Sequence, residues 1–298
     1  TLCKLAINAI KEAKLSQKLY AVSRFSNQSH ADDLASYGIE VIKADLLEDE
    51  QLQALPEVKN VIYMVGRKFG TSDDQSLTWA MNAYLPGRVA EKFKNSNTVV
   101  FSTGNVYPFV PVKDGGCKET DPTGPVGIYA QSCLGRENVF KYFCNRYKTP
   151  MLLYRLNYAI DLRYGVLLEI AKTIYNKKPL DITSSYANVI WQGDANETAI
   201  RSLLHCHYPI ETLNVTGITT IRIKDVAKAF GKIFDVEPSF TGIENDMCLI
   251  SNSSKSEKLF GENQTSLDDM IKMTADWVIN NGKMLDKPTH FQERQGKF

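Results

Sequence analysis

At 298 residues the chain is long enough for one large domain or two modest ones with a real core. Its 43% hydrophobic and 23% charged residues suit an ordinary globular protein, and 35 basic against 34 acidic side chains leave a net charge of +1, which gives no electrostatic case for a nucleic-acid or membrane-surface partner. No apolar run approaches the ~18–20 residues that cross a bilayer, no signal peptide or low-complexity tract is visible, and six cysteines without CxxC spacing predict reduced thiols in a cytoplasmic protein.

Leu2, Leu5, Ala6, Ala9 and Ile10 follow a helical stripe, so the chain opens inside a helix. Residues 18–25 read as a buried strand, a short helix is predicted around 32–37, and 39–45 is the next strand. A short helix over 46–55 precedes the strongly apolar strand 60–66. Leu77, Met81, Tyr84, Leu85, Val89 and Phe93 mark one face of a long amphipathic helix. A strand at 97–104, a loop rich in Gly, Pro and Asp at 107–127, a helix over 129–146 and a strand over 149–156 follow. These strands are continuous apolar runs alternating with helices, the pattern of a parallel sheet covered on both faces.

After residue 160 the rhythm loosens. A helix at 166–175, strands at 187–191 and 212–217, a helix between them at 194–206, and a helix marked by Val226, Phe230 and Ile233 are predicted. A last helix carries Leu267, Met270, Ile271 and Trp277, with Ser266 as its polar start. The expected architecture is α/β: a Rossmann-like doubly wound parallel sheet over residues 1–160, and a smaller mixed α/β substrate-binding region over 161–298 whose strands near 187–191 and 212–217 pack with the first part. His205, Cys206 and His207 end a helix, point in different directions and lack further ligands at helical spacing, so no metal site is predicted.

Several stretches in a fixed order carry a resemblance. They are NVIYMVG (60–66), Asn82 on the following helix, FSTGNVYPF (101–109), YAQSCLGRE (129–137) and YRLNYAI (154–160). In order and spacing they resemble the extended short-chain dehydrogenase/reductase family, in its NAD-dependent epimerase/dehydratase branch. FSTGNVYPF is similar to that family's S-[ST]-x-x-V-Y-G element, YAQSCLGRE to its Y-x-x-x-K helix, and YRLNYAI to its R-P-x-N-V-Y-G turn.

The resemblance implies a Tyr hydroxyl that exchanges the substrate proton while hydride moves to or from a nicotinamide, with a Ser or Thr hydroxyl on the same oxygen. It places Tyr129 and Thr103 in these roles. Read from the residues alone, Tyr129 is a surface helix tyrosine and Thr103 a hydroxyl capping a turn. The implied cofactor is NAD or NADP. Around it the resemblance places Ser23 and Arg24 after the second strand, Asp45 and Leu46 at the adenine, and Met64, Val65 and Gly66 on the strand that approaches it. Asn82, Ser102, Leu156, Asn157 and Tyr158 complete this set. Arg24 suits a 2′-phosphate and tilts the choice toward NADP. Asp45 also suits an N-cap for the helix that follows. Substrate candidates are Lys68, Asn105, Tyr107, Asp161, Arg163, Trp191 and Gln192, with a sugar nucleotide as the family's default substrate; Trp191 also reads as an ordinary core tryptophan. A homodimer through the helices containing 82–93 and 129–143 is implied as well.

The chain departs from the family pattern in three places. No G-x-x-G-x-x-G occurs, and the expected place for it lies before the first helix, together with a first strand. Cys133 stands where the family has the Lys that binds the nicotinamide ribose and lowers the Tyr pKa by its charge. The family Asn of the R-P-x-N turn usually falls where this chain has Tyr158. The Cys133 departure leaves three readings open: Tyr129 acts as a neutral acid, a displaced cation substitutes (Lys68 by position), or catalysis is lost and binding kept. Cys133 as a nucleophile lacks a His partner. The sequence therefore predicts an NAD(P)-dependent epimerase, dehydratase or reductase, with a catalytically silent NAD(P)-binding regulatory or scaffold protein as the alternative.

Overall fold

Apolar runs that alternate with helices fold here into parallel strands with helices on both faces. The computed structural model describes residues 1–285 and 287–296. It opens with α1 (Leu2–Glu12), β1 (Tyr20–Ser23), α2 (Gln28–Ser36), β2 (Glu40–Lys43), α3 (Asp49–Gln53) and β3 (Asn60–Tyr63). Next come α4 (Gln75–Trp79), a π-helical segment (Ala80–Tyr84), α5 (Leu85–Lys92), β4 (Asn97–Thr103), β5 (Val110–Pro111), α6 (Gly127–Tyr147) and β6 (Met151–Leu156). The remainder comprises β7 (Ala159–Ile160), α7 (Val166–Tyr175), β8 (Leu180–Asp181), β9 (Tyr186–Asn188), β10 (Ile190–Trp191), α8 (Gln192–Arg201), β11 (Glu211–Val215), β12 (Thr220–Arg222), α9 (Ile223–Phe234), β13 (Phe240–Thr241), β14 (Met247–Cys248), α10 (Ser254–Phe260) and α11 (Leu267–Ile279).

The main sheet has four parallel strands in the order β11-β6-β4-β3. β1 and β2 form a separate parallel pair, from Tyr20↔Glu40 to Ser23↔Lys43. Successive side chains of a strand point to opposite faces, and both faces are buried. Val100, Met151 and Leu153 pack with Leu85, Val89 and Phe140 of α5 and α6. Val99, Phe101, Leu152 and Tyr154 pack on the other face with Ala195 and Ala199 of α8. That is why β4 and β6 are apolar without alternation. Each such fully buried aliphatic or aromatic side chain stabilises the fold by about 1.5–3 kcal/mol.

Two predicted elements are divided. The long helix around 77–93 is interrupted by the π-helical segment, because Pro86 has no N–H to return to the Asn82 carbonyl and its ring crowds that group. The predicted strand 187–191 is two: β9 pairs antiparallel with β12, and β10 pairs parallel with β7. β11 joins the main sheet beside β6.

The second half is organised around α7, α9 and α11, whose Leu167, Ile170, Phe230 and Ala275 are fully buried in one apolar cluster. The segment after α11 returns across the molecule. The Leu285 N–H donates to the Arg163 carbonyl, Phe291 enters the α7–α9–α11 cluster, and Gly296 lies against Gly127 at the start of α6. A Cβ on Gly127 (φ +81°) would stand 2.3 Å from the Gly296 carbonyl oxygen, so this crossing requires glycine.

Candidate active site

The carboxyl ends of β3, β4 and β6 open on one side of the sheet, the usual place for ligands in open α/β sheets. A cavity of about 310 Å³ lies there. Its floor comes from strand ends (Met64, Phe101, Ser102, Thr103, Leu156), one wall from α6 (Tyr129, Arg136), and the opposite wall from Tyr158, Tyr164, Val166 and Thr289.

Thr103 and Tyr129 are brought together. Thr103 ends β4, and its hydroxyl accepts the Asn105 N–H at 3.2 Å. Tyr129 stands in the first turn of α6, and its side chain is hydrogen-bonded to both Thr103 and Cys133. Cys133, one helical turn later, is fully buried. Burial raises the pKa of the Tyr129 phenol and of the Cys133 thiol above their ordinary values, so both groups are neutral near pH 7. Tyr129 is therefore held as a proton donor, and Cys133 is not a thiolate.

Arg67, Lys68 and Arg136 line the cavity; Arg67 Nη2 is turned to the Gly70 carbonyl at 2.8 Å, and the charges of Lys68 and Arg136 act on this pair. Lys68 lines the cavity and donates from Nζ to the Tyr164 hydroxyl at 3.1 Å; burial lowers its pKa. The nearby carboxylate of Glu169 is engaged by the Thr289 N–H and hydroxyl. Arg136 stands two turns after Tyr129 on the same face of α6. Its Nη1 donates to the Phe101 carbonyl at 2.9 Å and its Nη2 to Asn82 Oδ1 at 3.0 Å, while its buried Nε–H has no partner.

Met64, Gly66, Ser102, Leu156, Asn157 and Tyr158, expected around the cofactor, and Lys68 and Asn105, expected at the substrate, all line the cavity. Ser102 also donates to Glu137 at 2.6 Å. Tyr158 holds a left-handed backbone (φ +42°), and burial pushes its phenol up to about 12.

Other expected site residues have different work. Asn82, expected at the cofactor, is fully buried with all its amide capacity committed: Oδ1 accepts from the Arg67 N–H and Arg136, and Nδ2 donates to the Arg67 carbonyl and Ser132. It pins the loop after β3 to α6. Tyr107, expected at the substrate, is buried beneath the site, where its hydroxyl accepts from Arg155 Nη1 at 2.6 Å and donates to Asn214 at 2.8 Å. Val65 points into the apolar layer under the sheet. Asp161 and Arg163 pair with each other at 2.6 Å in an exposed turn. Trp191 packs against the α7–α9–α11 cluster, and neither it nor Gln192 lines the cavity. Ser23, Arg24, Asp45 and Leu46 follow β1 and β2 and do not line it either; the Asp45 carboxylate caps the Leu47 N–H at 3.1 Å.

Sequence reasoning missed Arg67, Arg136, Tyr164 and Thr289 as cavity walls. Arg136 had a readable signal, since it lies seven residues after Tyr129, at i+7 on one helix face. The other walls come from distant loops that carry no local pattern. Among the described residues there is no cluster of His, Cys, Asp and Glu fit to hold a metal ion, and no helix long and apolar enough to cross a membrane.

Comparison with known proteins agrees with this fold. The model of the NAD dependent epimerase/dehydratase family matches residues 6–185. Among solved structures, UDP-glucuronic acid 4-epimerase from Bacillus cereus in complex with NAD superposes with a TM-score of 0.76 at 16% identity, covering 94% of this chain and 96% of that one. UDP-glucose 4-epimerase from Thermotoga maritima with UDP-glucose gives 0.76 at 13% identity, with coverage of 94% and 96%. The Thermus thermophilus UDP-glucose 4-epimerase complex with NAD gives 0.73 at 15%, with coverage of 93% and 95%. A search of curated proteins finds no match.

Proposed function

The chain belongs to the NAD dependent epimerase/dehydratase family, and on that premise we propose an NAD(P)-dependent epimerase, dehydratase or reductase that acts on a sugar nucleotide or a related hydroxyl or keto compound, with Tyr129 as its acid–base group. The observation that carries this reading is the hydrogen-bonded pair of Tyr129 and Thr103 at the carboxyl ends of parallel strands, facing a cavity. The residues present fit the nicotinamide end of a dinucleotide. Met64, Leu156 and Tyr158 supply apolar wall beside the Tyr129 hydroxyl, and the Arg136 guanidinium in the same wall would supply positive charge toward a ribose or phosphate oxygen.

When bound, the dinucleotide supplies hydride donor and acceptor chemistry. The protein's part is proton handling and orientation. Thr103 and Tyr129 together hold one substrate oxygen. Tyr129, neutral because burial raises its pKa, donates its proton to a keto oxygen as that oxygen gains charge. In the reverse direction it must first lose that proton, which burial opposes and neighbouring positive charge favours. Cys133 keeps the phenol in place through a hydrogen bond and carries no charge itself.

NAD is the proposed cofactor, because the similar Bacillus cereus and Thermus thermophilus proteins are complexes with NAD. Arg24, exposed just past β1, keeps NADP as the second candidate. The sugar-nucleotide class is proposed from the UDP-sugar epimerases with the same fold. Residues 161–298 are proposed to supply the substrate side, since Tyr164, Val166 and Thr289 wall the cavity. A homodimer is proposed through α4–α6, whose outer face exposes Trp79, Tyr84 and Tyr142.

The test is turnover of UDP-glucose and UDP-glucuronic acid with NAD or NADP, alongside NADH and NADPH binding followed by fluorescence. Tyr129→Phe is expected to lower turnover about 10²–10⁴-fold while leaving the melting temperature near that of the parent. Equal turnover in the two proteins overturns the role of Tyr129. Cys133 favours the second reading, a silent dinucleotide-binding protein; tight NADH binding with no turnover of any substrate decides for it.

A further inference from the structure

α6 carries Tyr129, Cys133 and Arg136 at i, i+4 and i+7, one above the other; Tyr129 and Arg136 line the cavity, and Cys133 is fully buried. The middle position has a neutral thiol. The third has a guanidinium that is 6% exposed. A guanidinium does not lose its proton in a protein, so this is a fixed positive charge. The partners of its Nη1 and Nη2 are both neutral, the Phe101 carbonyl and the Asn82 side-chain oxygen, and its Nε–H has none. Among the described residues no carboxylate forms an ion pair with it. Glu137, its neighbour on the helix, is taken by Arg155 at 2.7 Å. A buried cation without a counter-charge opposes folding, so tying α6 to Phe101 and Asn82, which a neutral donor could do, does not by itself account for a charge here.

The surroundings make room for it. A Cβ at Gly66 would come within 2.3 Å of Arg136 Nη2, so the glycine at the end of the β3 segment is the space in which this side chain lies. Arg136 also works against burial on both neighbours, favouring the ionised form of Tyr129 and of Cys133. Lys68 is the weaker candidate. Its Nζ is engaged by Tyr164, and burial favours its uncharged form.

We propose that Arg136 is the cation of this site, displaced one turn along α6 from position 133, and that its guanidinium supplies the positive charge beside the bound dinucleotide and Tyr129 from the cavity wall. The proposal rests on the dinucleotide-binding reading above. It adds that the site is not short of a charge at Cys133, because the charge enters from the next turn of the same helix.

The test is NADH affinity by fluorescence titration in the full chain, with circular dichroism and melting temperature as folding controls. Arg136→Met is expected to weaken NADH by about 10-fold or more, the loss of one positive charge at short range in a cavity wall. Cys133→Lys in the Arg136→Met background is expected to recover most of that loss, which relief of a packing defect does not do. Cys133→Lys alone is expected to bind no better than the parent, because two cations then compete for one place. Equal affinity in parent and Arg136→Met overturns the proposal and leaves the dinucleotide reading standing, as does a loss that Cys133→Lys does not recover. Should Arg136→Met fail to fold, Cys133→Lys alone decides: a tenfold gain in affinity shows a site that lacked its cation and overturns the proposal. A parent protein that binds neither NADH nor NADPH overturns both readings.

Discussion

Arg136 and Arg155 are both buried guanidinium groups against the main sheet, yet their surroundings differ in kind. Arg155, on β6, clasps both oxygens of Glu137 through Nε at 2.8 Å and Nη2 at 2.7 Å, and its Nη1 reaches the Tyr107 hydroxyl at 2.6 Å. Tyr107 passes the chain on to Asn214 of β11, whose amide donates to the Cys117 and Asn252 carbonyls. Ser102 of β4 completes the shell of Glu137. This is a closed network that staples β4, β6, β11 and α6 together. Arg136, one residue before Glu137, turns to the cavity with neutral partners and a donor left over. The difference teaches how to read a buried charge. Where a carboxylate answers the guanidinium the group holds the fold, and where its charge stands in a cavity wall without a counter-charge the group is held ready for a ligand.

The contrast breaks most visibly at Arg155. Arg155→Leu leaves the Glu137 carboxylate buried with only Ser102 and, at 3.9 Å, the half-exposed Lys141 beside it, with an expected cost of about 3–5 kcal/mol in urea unfolding. Adding Glu137→Leu removes the stranded charge and should return part of that stability. A cost under about 1 kcal/mol for Arg155→Leu means that the network is not a staple. Asn82→Ala comes next, at about 2–3 kcal/mol, since it strands the Arg67 backbone groups and one donor of Arg136. Because Asn82 supports the open site, its loss should weaken NADH as well, whereas Arg155→Leu should cost stability first.

A graded effect separates the two regions by pH. Burial raises the Tyr129 pKa above its unfolded value of about 10. The unfolded chain therefore ionises first, and the stability linked to this group is present below pH ~10 and lost as pH rises further. Urea unfolding from pH 8.5 to 11 should show a shallower decline for Tyr129→Phe than for the parent. Superimposable slopes mean that the phenol is less isolated from water than its place in the cavity wall implies.

Much of this was legible in the sequence, for physical reasons. β3, β4 and β6 are buried on both faces, so they announce themselves as unbroken apolar runs. Thr103 and Tyr129 stand at element ends whose spacing the fold dictates. Two-residue pairings such as β5, β8 and β13 have no period to detect. The division of the helix at Ala80–Tyr84 follows from Pro86, yet an amphipathic stripe runs through it unbroken. Tyr107 reads as a site residue from its motif, but its partner Arg155 lies 48 positions away and faces the interior. Arg136 sits at a readable spacing, but its guanidinium becomes a site group only once Gly66 and Asn82, from other elements, stand beside it.

Tyr107→Phe is the finest probe of the contrast and carries the smallest expected effect. The hydroxyl is an acceptor for Arg155 and a donor to Asn214, both inside the closed network. Its removal leaves one guanidinium N–H and one amide oxygen unanswered while the ring and its packing stay, so the expected cost is about 1–2 kcal/mol in urea unfolding. NADH affinity should not move, because Tyr107 lies beneath the cavity and not in its wall. Should Tyr107→Phe weaken NADH several-fold with stability unchanged, the network and the open site are one unit. The division drawn between Arg155 and Arg136 then fails.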